Sequence, residues 1–369
     1  LAQAVTGTPG HVNAMAASVG KFLKVYPAAT LEEGDVLLTN DPWDGTGHLN
    51  DFTVVTPVFR NERCVALFAS TSHIADVGGR GFGPDANDLF EEGLRIPISP
   101  LFRAGKRDET LMRLIKANVR DPVTAEGDLY SLTACNELGG QALNEMLDDF
   151  KLADLTDEAR FIIERSRQAM IREISALPDG EYDHEMVIDG YREPVRLKAR
   201  LRIHGERLSV DFAGSSSRSE AGINVPLPYT EAYASFGVRC IVGNEVPNNA
   251  GSLAAITVTA PEGSILNAPR PSAVSARHSV GQMLPDVVLG CLAQVVPEKV
   301  PAEGASCIWN PVFMNAPGAT AANLSATPFV SNPIFNGGTG ARAVKDGLST
   351  TAFPSGVRTT STEINEATT

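Results

Sequence analysis

Two apolar runs near the start of the chain, FTVVTPVF (52–59) and CVALFAST (64–71), are rich in β-branched and aromatic residues and flank the polar stretch RNER. They predict a β-hairpin with a four-residue loop, or three if the register moves by one. From Thr156 to Leu177 the apolar spacing changes to a helical one, with Ile162, Ser166, Ala169, Met170, Ile174 and Leu177 on one face. Thr156 is the expected N-cap, and the PDG at 178–180 ends the helix. Strands return at 181–215, where VRLKARLRI alternates apolar and basic residues, HGER turns the chain and LSVDFAG comes back. That pattern predicts a half-exposed antiparallel sheet. The runs 230–243 and 281–296 read as buried helices, the second bent or started late at Pro285. Beyond them the chain is loop-rich, with Gly337, Gly338 and Gly340. Hairpins and separate helical stretches, with few βαβ units, point to a mixed α+β fold of antiparallel hairpins and sheets with packed helices. The expected parts are a metal-site α+β domain over 1–178, an antiparallel sheet with buried helices over 179–300, and a loop-rich remainder over 301–369.

Composition narrows the partners. With 369 residues, of which 43% are hydrophobic, the chain can bury a substantial core and divide into two or three units. It contains no apolar run near the roughly 18 residues that a membrane span needs. The net charge of -13 and the absence of a dense Lys/Arg run leave no footprint for a phosphate backbone, so neither nucleic acid nor membrane is an expected partner. The five cysteines include no C-x-x-C pair, which argues against a disulfide framework or a thiolate zinc site and fits a reducing cytoplasm.

The chemistry concentrates in TNDPWDGTGHLND (39–51), which carries Asp41, Asp44, His48 and Asp51 and runs directly into the first hairpin strand. If Phe59 lies opposite Cys64, Asp51 lies opposite Ser72; if Arg60 lies opposite Cys64, Asp51 faces His73. Either register returns His73 to the end of the hairpin from which Asp51 departs, with opposed Cβ atoms about 5 Å apart. His48, Asp51 and His73 then form a two-His, one-carboxylate set suited to Mn²⁺, Zn²⁺ or Fe²⁺, with positions left open for substrate or water. Asp41 and Asp76 are reserve members, as a further ligand or as acceptors that fix a His tautomer, and Asp76 is counted with the catalytic set. A capped turn at His48 and Asp51, with Asp76 capping a loop, is the competing reading, and both stay open on spacing alone. VGGRGFGPD (77–85) follows His73 as a mobile loop over the site or as a plain surface turn.

GDVLLTNDPWDGTGHLNDFTVVTPVF, SHIADVGG, FEEGLRIP, INVPLPYTEAY, PSAVSARHSVGQMLPDVVLGCLAQVVPEKVPA and the closing GGTGAR resemble, in this order, the hydantoinase B/oxoprolinase B family. Its relatives include matching subunits of acetone and acetophenone carboxylases. The resemblance implies His48, Asp51 and His73 as metal ligands, although this chain has Ile74 where the family commonly has a second His. It also implies divided labour in a hetero-oligomer. A hydantoinase A-type partner of actin-like kinase fold uses ATP to activate a carbonyl or bicarbonate, and the B-type chain consumes the activated species at its metal. The chain carries no G-x-x-x-x-G-K-[ST], in keeping with ATP bound on the partner. The expected activity is hydrolysis of a cyclic amide; a ketone carboxylase subunit is the alternative, and a non-catalytic structural subunit the third. His11 aligns with a family His and could reach the pocket or serve structure. Arg277 and His278 could bind an anionic group at a helix start. Cys135 is a weak candidate nucleophile, and Glu363 and Glu366 read as a solvated tail. Family members run longer at both ends, so a piece of a longer protein is expected.

Overall fold

The computed structural model describes residues 9–306, 310–314, 329–333 and 337–347; Glu363, Glu366 and Cys307 lie outside them. Helix α1 (Pro9–Val25) precedes three strands, β1 (Val36–Thr39), β2 (Asp51–Arg60) and β3 (Arg63–His73). A single turn of helix, α2 (Leu89–Glu92), leads to β4 (Ser99–Arg103) and β5 (Lys106–Arg107), which complete a five-stranded antiparallel sheet in the order β3-β2-β1-β4-β5. All four β1 residues are buried because both sheet faces are covered. Leu37 and Val55 face Val19 and Phe22 of α1. Val36, Leu38 and Val54 face the other way, onto α3 (Glu109–Asn118) and α4 (Pro122–Asp149), where Met112, Ile115 and Leu129 meet them. Asp108 and Asp121 cap these two helices, the first accepting the Thr110 and Leu111 N–H groups and the second that of Thr124.

The hairpin contains both of the expected registers. Asp51 pairs with His73 and Phe59 with Cys64, and the one-residue difference is absorbed by a β-bulge between Val58 and Phe59. The loop is shorter than the three or four residues expected. Arg60 pairs with Arg63, leaving only Asn61 and Glu62, both with positive φ (49° and 62°), as a type I′ connection requires.

Helix α5 (Thr156–Ser175) begins at Thr156, which is therefore not the cap: the Asp154 side chain accepts the Thr156 N–H at 2.8 Å. Its Met170 and Ile174 enter the second apolar core. Strands β6 (Gly180–Ile188), β7 (Val195–His204) and β8 (Arg207–Asp211) form the expected antiparallel sheet. Leu197, Ala199 and Leu201 point inward, while Arg200 and Arg202 pair with Asp183 and Glu181 on the open face. Helix α6 (Leu227–Ile241) starts three residues before the expected 230, with Pro228 in its first turn. After α7 (Ala250–Leu253), β9 (Ile256–Thr259) joins the sheet parallel to β8, a strand the residue pattern does not announce. The expected helix at 281–296 starts late, near Pro285: the single turn α8 (His278–Gly281) precedes it, and α9 (Leu284–Leu292) carries Pro285 in its first turn. The segment ends with the short pair β10 (Phe313–Met314) and β11 (Val330–Ser331). The fold class is α+β with antiparallel sheets and packed helices, as the sequence implies. Among the described residues no helix is long and apolar enough to cross a membrane.

Candidate metal centre

The loop between β1 and β2 is held from several sides, which fixes His48 and Asp51. The Asn40 carboxamide donates to the Leu49 and Leu94 carbonyls and accepts the Ile96 N–H, so one side chain ties the loop to the connection between α2 and β4. Asn50 donates to the Ile74 carbonyl while Ile74 N–H donates to Asn50, locking the start of β2 against the end of β3. At Gly47 the backbone has φ +108°, and a Cβ there would sit 2.6 Å from the Arg277 guanidinium. Only glycine lets that cation approach the loop so closely.

Asp51 is fully buried and its two oxygens have separate surroundings. Oδ2 accepts from Arg277 Nη2 at 2.5 Å, His11 Nε2 at 2.8 Å and Thr46 Oγ1 at 2.9 Å. Oδ1 faces His48 Nε2 at 2.7 Å and His73 Nδ1 at 3.6 Å. Burial opposes ionisation, but His11 and the Arg277 guanidinium outweigh it and hold the carboxyl well below the usual carboxylate range. Arg277 also donates to the Thr46 carbonyl and lies over the Tyr229 ring, 4.3 Å from its centroid.

His48 Nδ1 meets the Ser275 carbonyl at 2.9 Å, so this nitrogen carries the proton. Burial, reinforced by Arg277, lowers the ring's pKa to about 3, which leaves it neutral, with Nε2 directing its lone pair at a carboxylate oxygen. Two acceptors therefore face a ring that carries one proton, a deficit that a cation between Nε2 and Oδ1 would remove. His73 Nδ1 lies 3.3 Å from the same His48 nitrogen. One ligand atom from each of His48, Asp51 and His73 falls within 4.8 Å of the others, a set a metal ion could join. Phe82, from the glycine-rich 77–85 loop, meets the rings of His48 and His73 edge-on at 5.5 and 5.0 Å and stacks on His278 at 5.2 Å. That loop thus lies over the centre.

The family model for hydantoinase B/oxoprolinase matches residues 1–369. The chain belongs to the hydantoinase B/oxoprolinase family. A caprolactamase subunit beta of Pseudomonas jessenii is 28% identical over 289 residues, covering 74% of this chain and 48% of that one, so the present chain spans about half of its relative. The fold also matches the crystal structure of the ATP-dependent caprolactamase from Pseudomonas jessenii, with a TM-score of 0.80, 24% identity and coverage of 93% and 60%. A nucleotide-free acetone carboxylase matches equally well in shape, with a TM-score of 0.80 at 18% identity and coverage of 93% and 48%.

In this hydantoinase B/oxoprolinase chain His48, Asp51 and His73 converge, whereas the two reserve carboxylates are engaged elsewhere. Asp76 binds Arg120 through its guanidinium, at 2.6 Å, and its backbone N–H, and also accepts the Gly78 N–H. Asp41 accepts from Trp43 N, Asp44 N and Arg270, which folds its own loop. Arg277 is committed to Asp51 and Thr46, and α8 is a single turn, so an anion site at a helix start is not what these residues build. His278, neutral with a pKa lowered to about 3 by burial and Arg277, stacks on Phe82. His11 reaches Asp51 itself. Cys135 is exposed on α4. Nothing local in the sequence marks Arg277 as the partner of a carboxylate 226 residues away, or Phe82 as the aromatic side chain against three imidazoles.

Proposed function

We propose that this chain is the metal-binding, catalytic B-type subunit of an ATP-dependent enzyme that hydrolyses a cyclic amide of the hydantoin, 5-oxoproline or lactam class, activated by an A-type partner. One observation carries the reading. Each of the three converging side chains is held on its far side, His48 by the Ser275 carbonyl, His73 by Asn332 and Asp51 by Arg277, His11 and Thr46, so that the near atoms are left facing one another. Ligands aimed by outer partners in this way are the usual construction of a metal centre, and two His with one carboxylate suit Mn²⁺, Zn²⁺ or Fe²⁺.

A divalent ion held there supplies Lewis acidity, which stabilises negative charge developing on an oxygen of the substrate. The protein's own contribution is placement. Arg277 and His11 keep Asp51 ionised and its Oδ1 directed inward, the Ser275 carbonyl keeps the His48 proton on Nδ1, and Phe82 shields one side of both imidazoles from water. A ketone carboxylase develops comparable charge at an enolate oxygen, and the acetone carboxylase likeness in fold keeps that reading second. The relative at higher identity bears the name of a caprolactamase subunit, which favours amide hydrolysis. Three aimed ligands are more than a purely structural subunit needs.

Elemental analysis and calorimetric titration with Mn²⁺ and Zn²⁺ test the centre, using the wild type beside His48→Ala, Asp51→Ala and His73→Ala. About one ion per chain, lost in each variant, is expected. ATP-dependent ring opening of hydantoins and lactams with the A-type partner then tests the reaction. A folded wild type that binds neither ion overturns the proposal.

A further inference from the structure

The C-terminal strand pair reaches the candidate centre. Met314 of β10 lies against the 77–85 loop, with its Cε 3.5 Å from where a Cβ on Gly81 would stand. One residue after β11, the Asn332 amide nitrogen lies 3.0 Å from His73 Nε2. The amide oxygen of Asn332 is buried without a hydrogen-bond partner. A half-turn of the carboxamide about its last torsion exchanges the two atoms, so the same side chain can either donate to Nε2 or accept from it.

We propose that Asn332 is a positioning residue that sets the tautomer of His73 and aims its Nδ1 at the centre. This rests on the metal reading above. As the chain stands, the Asn332 amide donates to Nε2 and the His73 proton sits on Nδ1, directed toward His48 and Asp51. When Nδ1 ligates a cation, the proton moves to Nε2, the carboxamide turns over, and its oxygen gains the hydrogen bond it otherwise lacks. Metal-ligating imidazoles characteristically donate their other ring N–H to such an acceptor, which fixes ring orientation and raises ligand basicity. His48 has its counterpart in the Ser275 carbonyl, and without Asn332 the ring of His73 has no equivalent partner among the described residues.

The test uses the full chain as wild type, Asn332→Ala and Asn332→Asp. Affinity for Zn²⁺ and Mn²⁺ is measured by calorimetry, and the His73 tautomer is read by two-bond ¹H–¹⁵N correlation in ¹⁵N-histidine-labelled protein, assigned with His73→Gln. Asn332→Ala is expected to weaken binding by about 10- to 100-fold, the usual effect of losing such a partner. Asn332→Asp keeps an acceptor oxygen and should bind within a few-fold of wild type. In wild type the His73 proton should pass from Nδ1 to Nε2 on Zn²⁺ addition, and metal-free Asn332→Ala should show a tautomer mixture. Equal affinity and an unchanged tautomer in Asn332→Ala overturn the inference while leaving the metal centre standing. If the wild type binds neither ion, the metal reading falls, and the tautomer of the metal-free proteins alone decides whether Asn332 orders the ring.

Discussion

Glu92 offers a quantitative check on how the wall behind His48 is held. The residue is 2% exposed, and its Oε1 accepts the backbone N–H groups of Val274 and Ser275 at 2.5 and 2.7 Å, while Oε2 is buried without a partner. Burial raises its pKa from an ordinary 4.5 to about 8. Between those values the folded chain holds a proton that the unfolded chain has released, so stability falls as pH rises from about 4.5 to 8. At about 1.4 kcal/mol per pH unit the full interval amounts to on the order of 5 kcal/mol. Glu92→Gln keeps an oxygen for the two N–H groups and removes the ionisation. Its amide lies where Oε2 had no partner, and that unpaired donor costs about 1–3 kcal/mol at every pH. Urea unfolding of both proteins at pH 5, 6.5, 8 and 9 separates these contributions. The variant should be slightly less stable at pH 5 and more stable above pH 8, with the difference between the two proteins moving by several kcal/mol. A difference constant within about 0.5 kcal/mol from pH 5 to 9 would show that Glu92 ionises freely in the folded protein and refute the reasoning.

Other outcomes follow from the same packing. Arg277→Met leaves Asp51 buried without its cation and should destabilise the fold by about 3–5 kcal/mol in urea unfolding; a loss under 1 kcal/mol contradicts the pairing. Gly251→Ala puts a methyl group 1.9 Å from the Ile163 carbonyl oxygen, forcing α7 off α5, and should lower stability by about 3 kcal/mol, seen as a fall in Tm. Cys291 is buried and its thiol is pushed up to about 12 by desolvation, whereas Cys135 is exposed, so iodoacetamide at neutral pH should label Cys135 and spare Cys291 until urea unfolds the chain. Saturating Zn²⁺ or Mn²⁺ should raise the wild-type Tm and leave that of Asp51→Asn unmoved, since an ion bound only by the folded state stabilises it by mass action.

The hairpin and its three converging side chains were legible in the sequence because two apolar arms of similar length can return His73 only to the Asp51 end. The bulge was not, since no glycine or proline in CVA marks an extra residue, and Glu62 gives little sign of the positive φ that its turn imposes. Thr156 resembled a cap by type, but it is the first helical residue: Leu155 stands at the cap position without a capping side chain, and Asp154 accepts the Thr156 N–H from just outside the helix. Strand β9 is four residues long and pairs in parallel only after α6 and α7 have crossed over, so its local pattern carries little weight. Asp76 and Asp41 fitted the centre by proximity in sequence, yet Arg120 and Arg270 reach them first. Partners of that kind belong to tertiary packing, as does Asn332, which stands 259 residues from His73.

The far-side supports of Asp51 and His48 also separate possessing ligands from having them aimed. His48, Asp51 and His73 lie within 26 consecutive residues, short enough to transplant as one hairpin with its leading loop. Arg277 and the Ser275 carbonyl come from beside the other sheet's core, and His11 from the helix on the hairpin's opposite flank. A scaffold that received only the hairpin would inherit the motif with Asp51 no longer braced and the proton on His48 free to choose either nitrogen. Grafting this chemistry therefore means carrying over distant stretches of chain, around His11, Ser275 to Arg277 and Asn332, that need never touch the ion.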